Sequence, residues 1–260
     1  MKTPARASLL AVALGALCVA PLAWLVALSL ARGWRYPALW PGDWQLAQWR
    51  ILAGDGRALV LFTAQSLLLA LAVGLTATAA GFVTSRALSR GRAARAWLAL
   101  AGLPFAIAPV VYAASVGQAY NRLGLAGQGV GVYLAQLPFA YGYAVLICQG
   151  FWAAHTRALG DLARTLGASS VQRLLRVELP LARGLLGLCL FQTALMSWFD
   201  FALVRTIGAG RVQTLTLAVF DYFGAGDLRL ASAAALLLIV PPALALAWDP
   251  RLLRPAARHE

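Results

Sequence analysis

Six apolar runs, lying near 8–31, 58–84, 97–119, 131–153, 183–206 and 228–248, constrain this chain more than any other feature. Each holds about 20 residues or more, and at about 1.5 Å per residue a helix of that length crosses a hydrocarbon core of about 30 Å. A helix satisfies its own backbone in lipid. A membrane barrel would instead show short segments of alternating polarity. The runs predict an all-α integral membrane protein with six transmembrane helices, organised as a single domain over residues 1–260. No internal repeat or soluble appendage interrupts them.

Composition narrows the function classes. The chain is 61% hydrophobic and 12% charged, with a mean hydropathy of +0.74, against about half and a quarter in a soluble domain. The formal charge of +13 does not indicate a nucleic-acid partner, because the arginines are scattered in short loops and build no basic face. Lys2 is the only lysine. A Walker A loop needs Gly-x4-Gly-Lys-Ser/Thr, and the sequence contains none, so any ATPase that drives this protein is another chain. Cys18, Cys148 and Cys189 all fall in apolar runs and read as small buried hydrophobes, without disulfide or metal spacing. His155 and His259 have no nucleophile or ligand partner at a meaningful spacing. No catalytic, cofactor or metal site is expected, and the chain is not expected to be an enzyme.

Basic residues orient the spans. With the N-terminus inside, fourteen of the 22 Lys and Arg fall in inner segments: Lys2 and Arg6; Arg86, Arg90, Arg92 and Arg95; Arg157, Arg164, Arg173, Arg176 and Arg183; Arg251, Arg254 and Arg258. The positive-inside rule favours this assignment, with both termini and the 154–182 loop in the cytoplasm. The first run follows Lys2 and Arg6 but is too long for a signal-peptide core and lacks a clear cleavage site, so it is expected to be retained as a span. Trp34, Tyr36, Trp40, Trp44 and Trp49 crowd the outer loop 32–57 as an interfacial belt would. Pro37, Pro41, Gly42, Gly54 and Gly56 predict that this loop is irregular.

The segment from Asp161 to Pro180 carries the most specific local pattern. Gly160 is expected to break the preceding structure, leaving Asp161 at a helix start where a carboxylate suits the dipole. Leu162 and Leu166 share a face. Gly167 offers a left-handed stop, and Ser169-Ser-Val-Gln172 reads as a capping box for a second short helix. Leu179 precedes a proline, which predicts the end of that helix. Arg164, Arg173 and Arg176 are expected to keep one side wet. The product would be two short helices with a sharp bend on the membrane surface.

This segment resembles the EAA loop of ABC-importer membrane subunits, which reads Glu-Ala-Ala, three residues, Gly, nine residues, Ile, one residue, Leu-Pro. Ala163, Gly167, Leu179 and Pro180 are in register with it, while Asp161, Leu162 and Val177 depart mildly. Gln65-Ser66 in the second run, Pro104 and Pro109 in the third, and Leu137-Pro138-Phe-Ala-Tyr141 in the fourth are further echoes. The resemblance implies the type I ABC importer permease fold with a cytoplasmic coupling helix, in a bacterial inner membrane. It implies two ABC ATPase subunits, a second permease subunit (a second copy or a different chain), an extracytoplasmic solute-binding protein, and alternating access driven by ATP that this chain does not bind. Asp161, Ala163, Arg164, Gly167, Arg173, Leu179 and Pro180 would then serve ATPase coupling. The stretch Arg211–Phe223 resembles the corresponding loop of permeases for iron, polyamines, oxyanions and thiamine.

Polar residues inside the runs mark a candidate pathway. Charges in a span are costly and often functional, and Asp200 is the one acidic residue well inside a run. It could contact a cation, or sit near the outer end of the fifth span and pair with Arg205 or face water. Gln65, Gln118, Gln136, Gln149 and Gln192 could each line a pathway or join helices by hydrogen bonds, and Gln65 and Gln192 are placed with Asp200 as pathway candidates. The alternative is an ion-coupled secondary transporter working through Asp200; a membrane enzyme or scaffold would leave the loop pattern unexplained.

Overall fold

The computed structural model describes residues 5–32, 34, 42–54, 56–89, 91, 94–152 and 154–248, with the side chains of 5–11, 47–48, 53, 56–57, 154–155 and 248 left aside. Lys2, Tyr36, Pro37, Trp40, Pro41, Arg90, Arg92, Arg251, Arg254, Arg258 and His259, and the side chains of Arg6 and His155, lie outside the described residues. Close packing divides the chain into two units, Met1–Thr63 with Leu215–Ala243, and Ala64–Thr214 with Leu244–Glu260.

The first unit opens with α1, Ala5–Leu30, whose described residues 12–24 are exposed. Cys18 is among them and is not the buried hydrophobe expected. The described residues of segment 32–57 carry more regular structure than its Pro and Gly content suggests. Strand β1, Ala31–Arg32, pairs antiparallel with β2, Asp43–Trp44, and helix α2, Ala47–Gly54, follows. The long helix α3, Gly56–Leu88, begins in this unit. Later come α11, Leu215–Gly224, and α12, Leu228–Trp248. Gly226 sits at φ +80° between them, and Asp227 accepts the Leu230 N–H at 3.0 Å as an N-cap.

The second unit is built on the rest of α3, with α6, Gly129–Gln149, and α9, Leu179–Trp198. One core cluster joins Phe82, Ala144, Cys148, Trp152, Ala182 and Cys189; another joins Val73, Ala77 and Ala140. Small residues permit the approach, as expected where helices associate in lipid. A Cβ on Gly81 would stand 2.5 Å from that of Ala144, so no larger residue fits. Thr78 and Thr193 bond at 3.2 Å between α3 and α9. Trp152 Nε1 donates to Ser85 Oγ at 2.9 Å.

Two expected spans are broken. The run 97–119 comprises α4, Ala94–Gly102, a 3-10 turn Leu103–Ala106, and α5, Pro109–Arg122, and the chain bends by 95° between them. The cause is local: Ala108 precedes a proline and takes extended angles, φ −61° and ψ 135°. The run 183–206 ends as helix at Trp198 and resumes as α10, Ala202–Ile207. Among the described residues, four helices are long and apolar enough to cross a membrane, five if the bent pair is one span. The six-span count needs α9, which has 20 residues, as well.

Candidate functional site

The segment that joins α6 to α9 folds as a helix, a glycine turn and a second helix. The first helix, α7, runs Ala154–Thr165. Gly160 lies inside it, so the break expected there is absent and Asp161 is mid-helix, not at a start. Gly lowers helix propensity by about 1 kcal/mol, which one strongly amphipathic helix absorbs. The stop comes where expected, at Gly167, with φ +84°. The N–H groups of Gly167 and Ala168 reach back to the carbonyls of Arg164 and Ala163 at 3.0 Å each.

The capping box is formed. Ser169 Oγ accepts the Gln172 N–H at 3.2 Å, and Gln172 Oε1 accepts the Ser169 N–H at 2.9 Å. It opens α8, Ser170–Arg173. Contrary to expectation, the chain does not leave helical angles at Leu179, whose φ and ψ are −64° and −48°. Leu174–Glu178 form a π turn in which the Leu179 N–H bonds the Leu174 carbonyl, five residues back. Pro180 therefore enters at the start of α9, where a missing N–H costs little. The segment is continuous with a core helix instead of ending before it.

Arg173 is the third correction. It is buried, not wet, with its Nε donating to Glu178 Oε1 at 3.1 Å. Glu178 is 2% exposed and also pairs with Arg86, at the C-terminal end of α3. Arg86 Nη2 donates to the Ser170 carbonyl at 3.2 Å and to Glu178 Oε1 at 3.4 Å. Arg157 donates to the Ser89 carbonyl at 3.4 Å. Burying three charges is expensive unless they pair, and here one carboxylate serves two guanidiniums. Sequence reasoning counted these arginines for topology and passed over Glu178; the one signal was an acidic residue at the close of an otherwise basic segment.

The outward face of the loop is apolar with a basic rim. Leu162, Leu166, Val171 and Leu175 are exposed by 57%, 80%, 64% and 57%, and Asp161, Arg164 and Arg176 are exposed with them. Ala163 is half-buried, as is Leu179, and Pro180 is exposed. Of the residues expected to couple, Asp161, Arg164 and Gly167 are exposed on the loop, while Arg173 is buried beneath it.

The pathway candidates do not converge. Asp200 Oδ2 accepts from Gln136 Nε2 at 2.8 Å, Gln136 Oε1 accepts from Ser197 Oγ at 2.6 Å, and Asp200 Oδ1 accepts the Leu203 N–H at 3.3 Å, capping α10. These groups border a cavity of about 90 Å³. Gln65 is exposed on α3 and Gln192 is half-buried on α9, and neither lines that cavity. Among the described residues, no group of three His, Cys, Asp or Glu could hold a metal.

No protein-family model matches the chain, and no curated protein matches it. Its fold is similar to that of a chain in the crystal structure of a bacterial ABC transporter involved in the import of the acidic polysaccharide alginate. The TM-score is 0.68 at 17% identity, over 95% of this chain and 94% of that one.

Proposed function

We infer that the chain is the membrane-spanning permease subunit of an ATP-binding cassette importer, carrying a small polar solute across a bacterial inner membrane. The observation that carries this reading is the α7–Gly167–α8 loop: an apolar face with a basic rim, ion-paired to α3 and continuous with α9. A separate ATPase would seat on Leu162, Leu166, Val171 and Leu175, with Asp161, Arg164 and Arg176 around them. ATP binding would draw two such loops together. Their motion would pass through the π turn into α9, and through Glu178 into α3, opening the spans to the far side; hydrolysis would reset them. A second permease subunit, identical or different, and an extracytoplasmic binding protein complete the machine. The similarity in fold to an importer chain supports the assignment, as does the type I loop pattern. The type I subclass, the six-helix count, the cytoplasmic termini and a solute of the iron, polyamine, oxyanion or thiamine type are parts of the same proposal.

The test is affinity recovery of the chain from gently solubilised native membranes, followed by mass spectrometry. Recovery of a Walker A ATPase that is lost on Gly167→Arg supports the reading. Recovery of the chain alone, under conditions that preserve a known importer complex, contradicts it and favours ion-coupled transport through Asp200.

A further inference from the structure

Two hydroxyl pairs stack along the face shared by α3 and α6. Tyr133 Oη donates to Thr76 Oγ1 at 3.0 Å, and Tyr141 Oη donates to Thr84 Oγ1 at 2.9 Å. On both helices the step between pairs is eight residues, about 12 Å of rise. The pairs advance together, so α3 and α6 run parallel here. Between and beyond them lie two cavities that share Pro138 and Tyr141. One, of about 420 Å³, is lined by Thr76, Ala80, Leu134 and Leu137; the other, of about 210 Å³, by Thr84, Trp97 and Ala101.

Pro138 adds a third kind of polar group. It sits inside α6 and has no N–H, so the Leu134 carbonyl loses its helical donor four residues on. Leu134 lines the larger cavity. In hydrocarbon such a carbonyl is costly, and Pro-interrupted backbone at membrane depth is found where it borders protein or a water-filled cavity. The Thr76 proton goes to the Ala72 carbonyl at 2.7 Å. Phenol lone pairs, the Trp97 indole N–H and the Leu134 carbonyl remain as bonding capacity. Among the described residues, no carboxylate, guanidinium or ammonium lines either cavity.

We propose that this α3–α6 face, with Thr76, Tyr133, Thr84, Tyr141, Trp97 and the Leu134 carbonyl, is a wall of the solute pathway that takes an oxygen-rich solute through neutral hydrogen bonds. It deepens the permease reading and rests on it for the word pathway. The Trp97 N–H and the Thr84 hydroxyl can donate to a solute's oxygens, the phenol lone pairs and the Leu134 carbonyl can accept from its hydroxyls, and Ala80 leaves room beside them. A cation has no counter-charge here. Asp200 is committed to Gln136 and the α10 N-terminus, so Gln65, Gln192 and Asp200 are not needed to form the wall.

The test is thiol accessibility in native membranes, with the chain in its own complex and Cys18→Ser removing the exposed native thiol. Ala80→Cys and Leu134→Cys place a thiol on the wall. Leu71→Cys, 42% exposed, places one on the opposite side of α3, about 180° from Ala80. The probes are membrane-impermeant anionic and cationic methanethiosulfonates. A wet wall thiol should react about tenfold faster than the Leu71→Cys thiol, since a lipid-facing thiol whose pKa rises one unit has about tenfold less thiolate. The anionic reagent should react at least as fast as the cationic one. Equal, slow labelling at both wall positions and at Leu71→Cys overturns the wall. Cationic labelling about tenfold faster overturns the solute class. Neither readout requires ATP. A wet wall in a chain that recovers no ATPase would therefore leave this site standing and reject the importer.

Discussion

Arg86 and Glu178, 92 residues apart in sequence, form a buried ion pair that fixes the end of α3 to the turn from which α9 grows. Arg173 shares the same carboxylate. Through this one side chain the loop grips two core helices at once.

Neutralising Glu178 should therefore cost more than removing all three charges. Glu178→Gln leaves two guanidiniums facing each other and is expected to destabilise the second unit by about 3 kcal/mol. The triple variant Arg86→Met, Arg173→Met and Glu178→Met should recover part of that loss, read as detergent-solubilised melting temperature. Equal destabilisation by the single and triple changes would deny the coupling.

Gly167 makes a sharper distinction. It stands at φ +84° with open space around its Cα, so a side chain meets strain but no clash. Gly167→Asn, which tolerates left-handed angles, should retain coupled transport, whereas Gly167→Val should lose it at a backbone cost of about 1–2 kcal/mol. The assay is solute uptake per ATP hydrolysed in the complex. Normal coupling in the Val variant would show that the turn is not the working hinge.

The capping box makes a local claim. Ser169→Ala should weaken the start of α8 by about 1 kcal/mol, and hydrogen exchange at the Gln172 amide should speed up roughly fivefold. Unchanged exchange would mean that the π turn alone holds the segment.

What the sequence revealed and what it hid divide along range. Gly167 and the Ser169–Gln172 box were legible because their physics is contained in a few residues. Leu179 was misread because the rule for residues before proline is a steric preference and not a prohibition, and here the surrounding helix, with the Leu179 N–H on the Leu174 carbonyl, holds the residue at helical angles. Arg173 was misread because its partner geometry depends on Arg86 on a distant helix. The 95° bend in the third run follows from Ala108 before Pro109, but a hydrophobicity count treats that run as continuous. At the pathway, Asp200 stood out by charge. The Tyr–Thr pairs are ordinary residues that only the parallel packing of α3 and α6 brings together.

Asp200 separates the two transport classes. As an acceptor for the Leu203 N–H, one residue before the α10 N-cap, and a partner of Gln136, it is replaceable by Asn, which keeps that acceptor, at a cost within about 1 kcal/mol. Asp200→Asn should sustain ATP-driven uptake in vesicles whose ion gradients have been collapsed by ionophores. Abolished uptake at full folded yield would move the function to ion coupling.

The central claim is that the Leu162–Leu175 face touches an ATPase. The direct measurement is cross-linking in native membranes from Leu166→Cys, which is 80% exposed on that face, with Phe223→Cys, 61% exposed on α11, as the control. The account predicts a cross-linked product from Leu166→Cys containing a Walker A ATPase, and none from Phe223→Cys. No ATPase captured from Leu166→Cys, or the same capture from both positions, would contradict it.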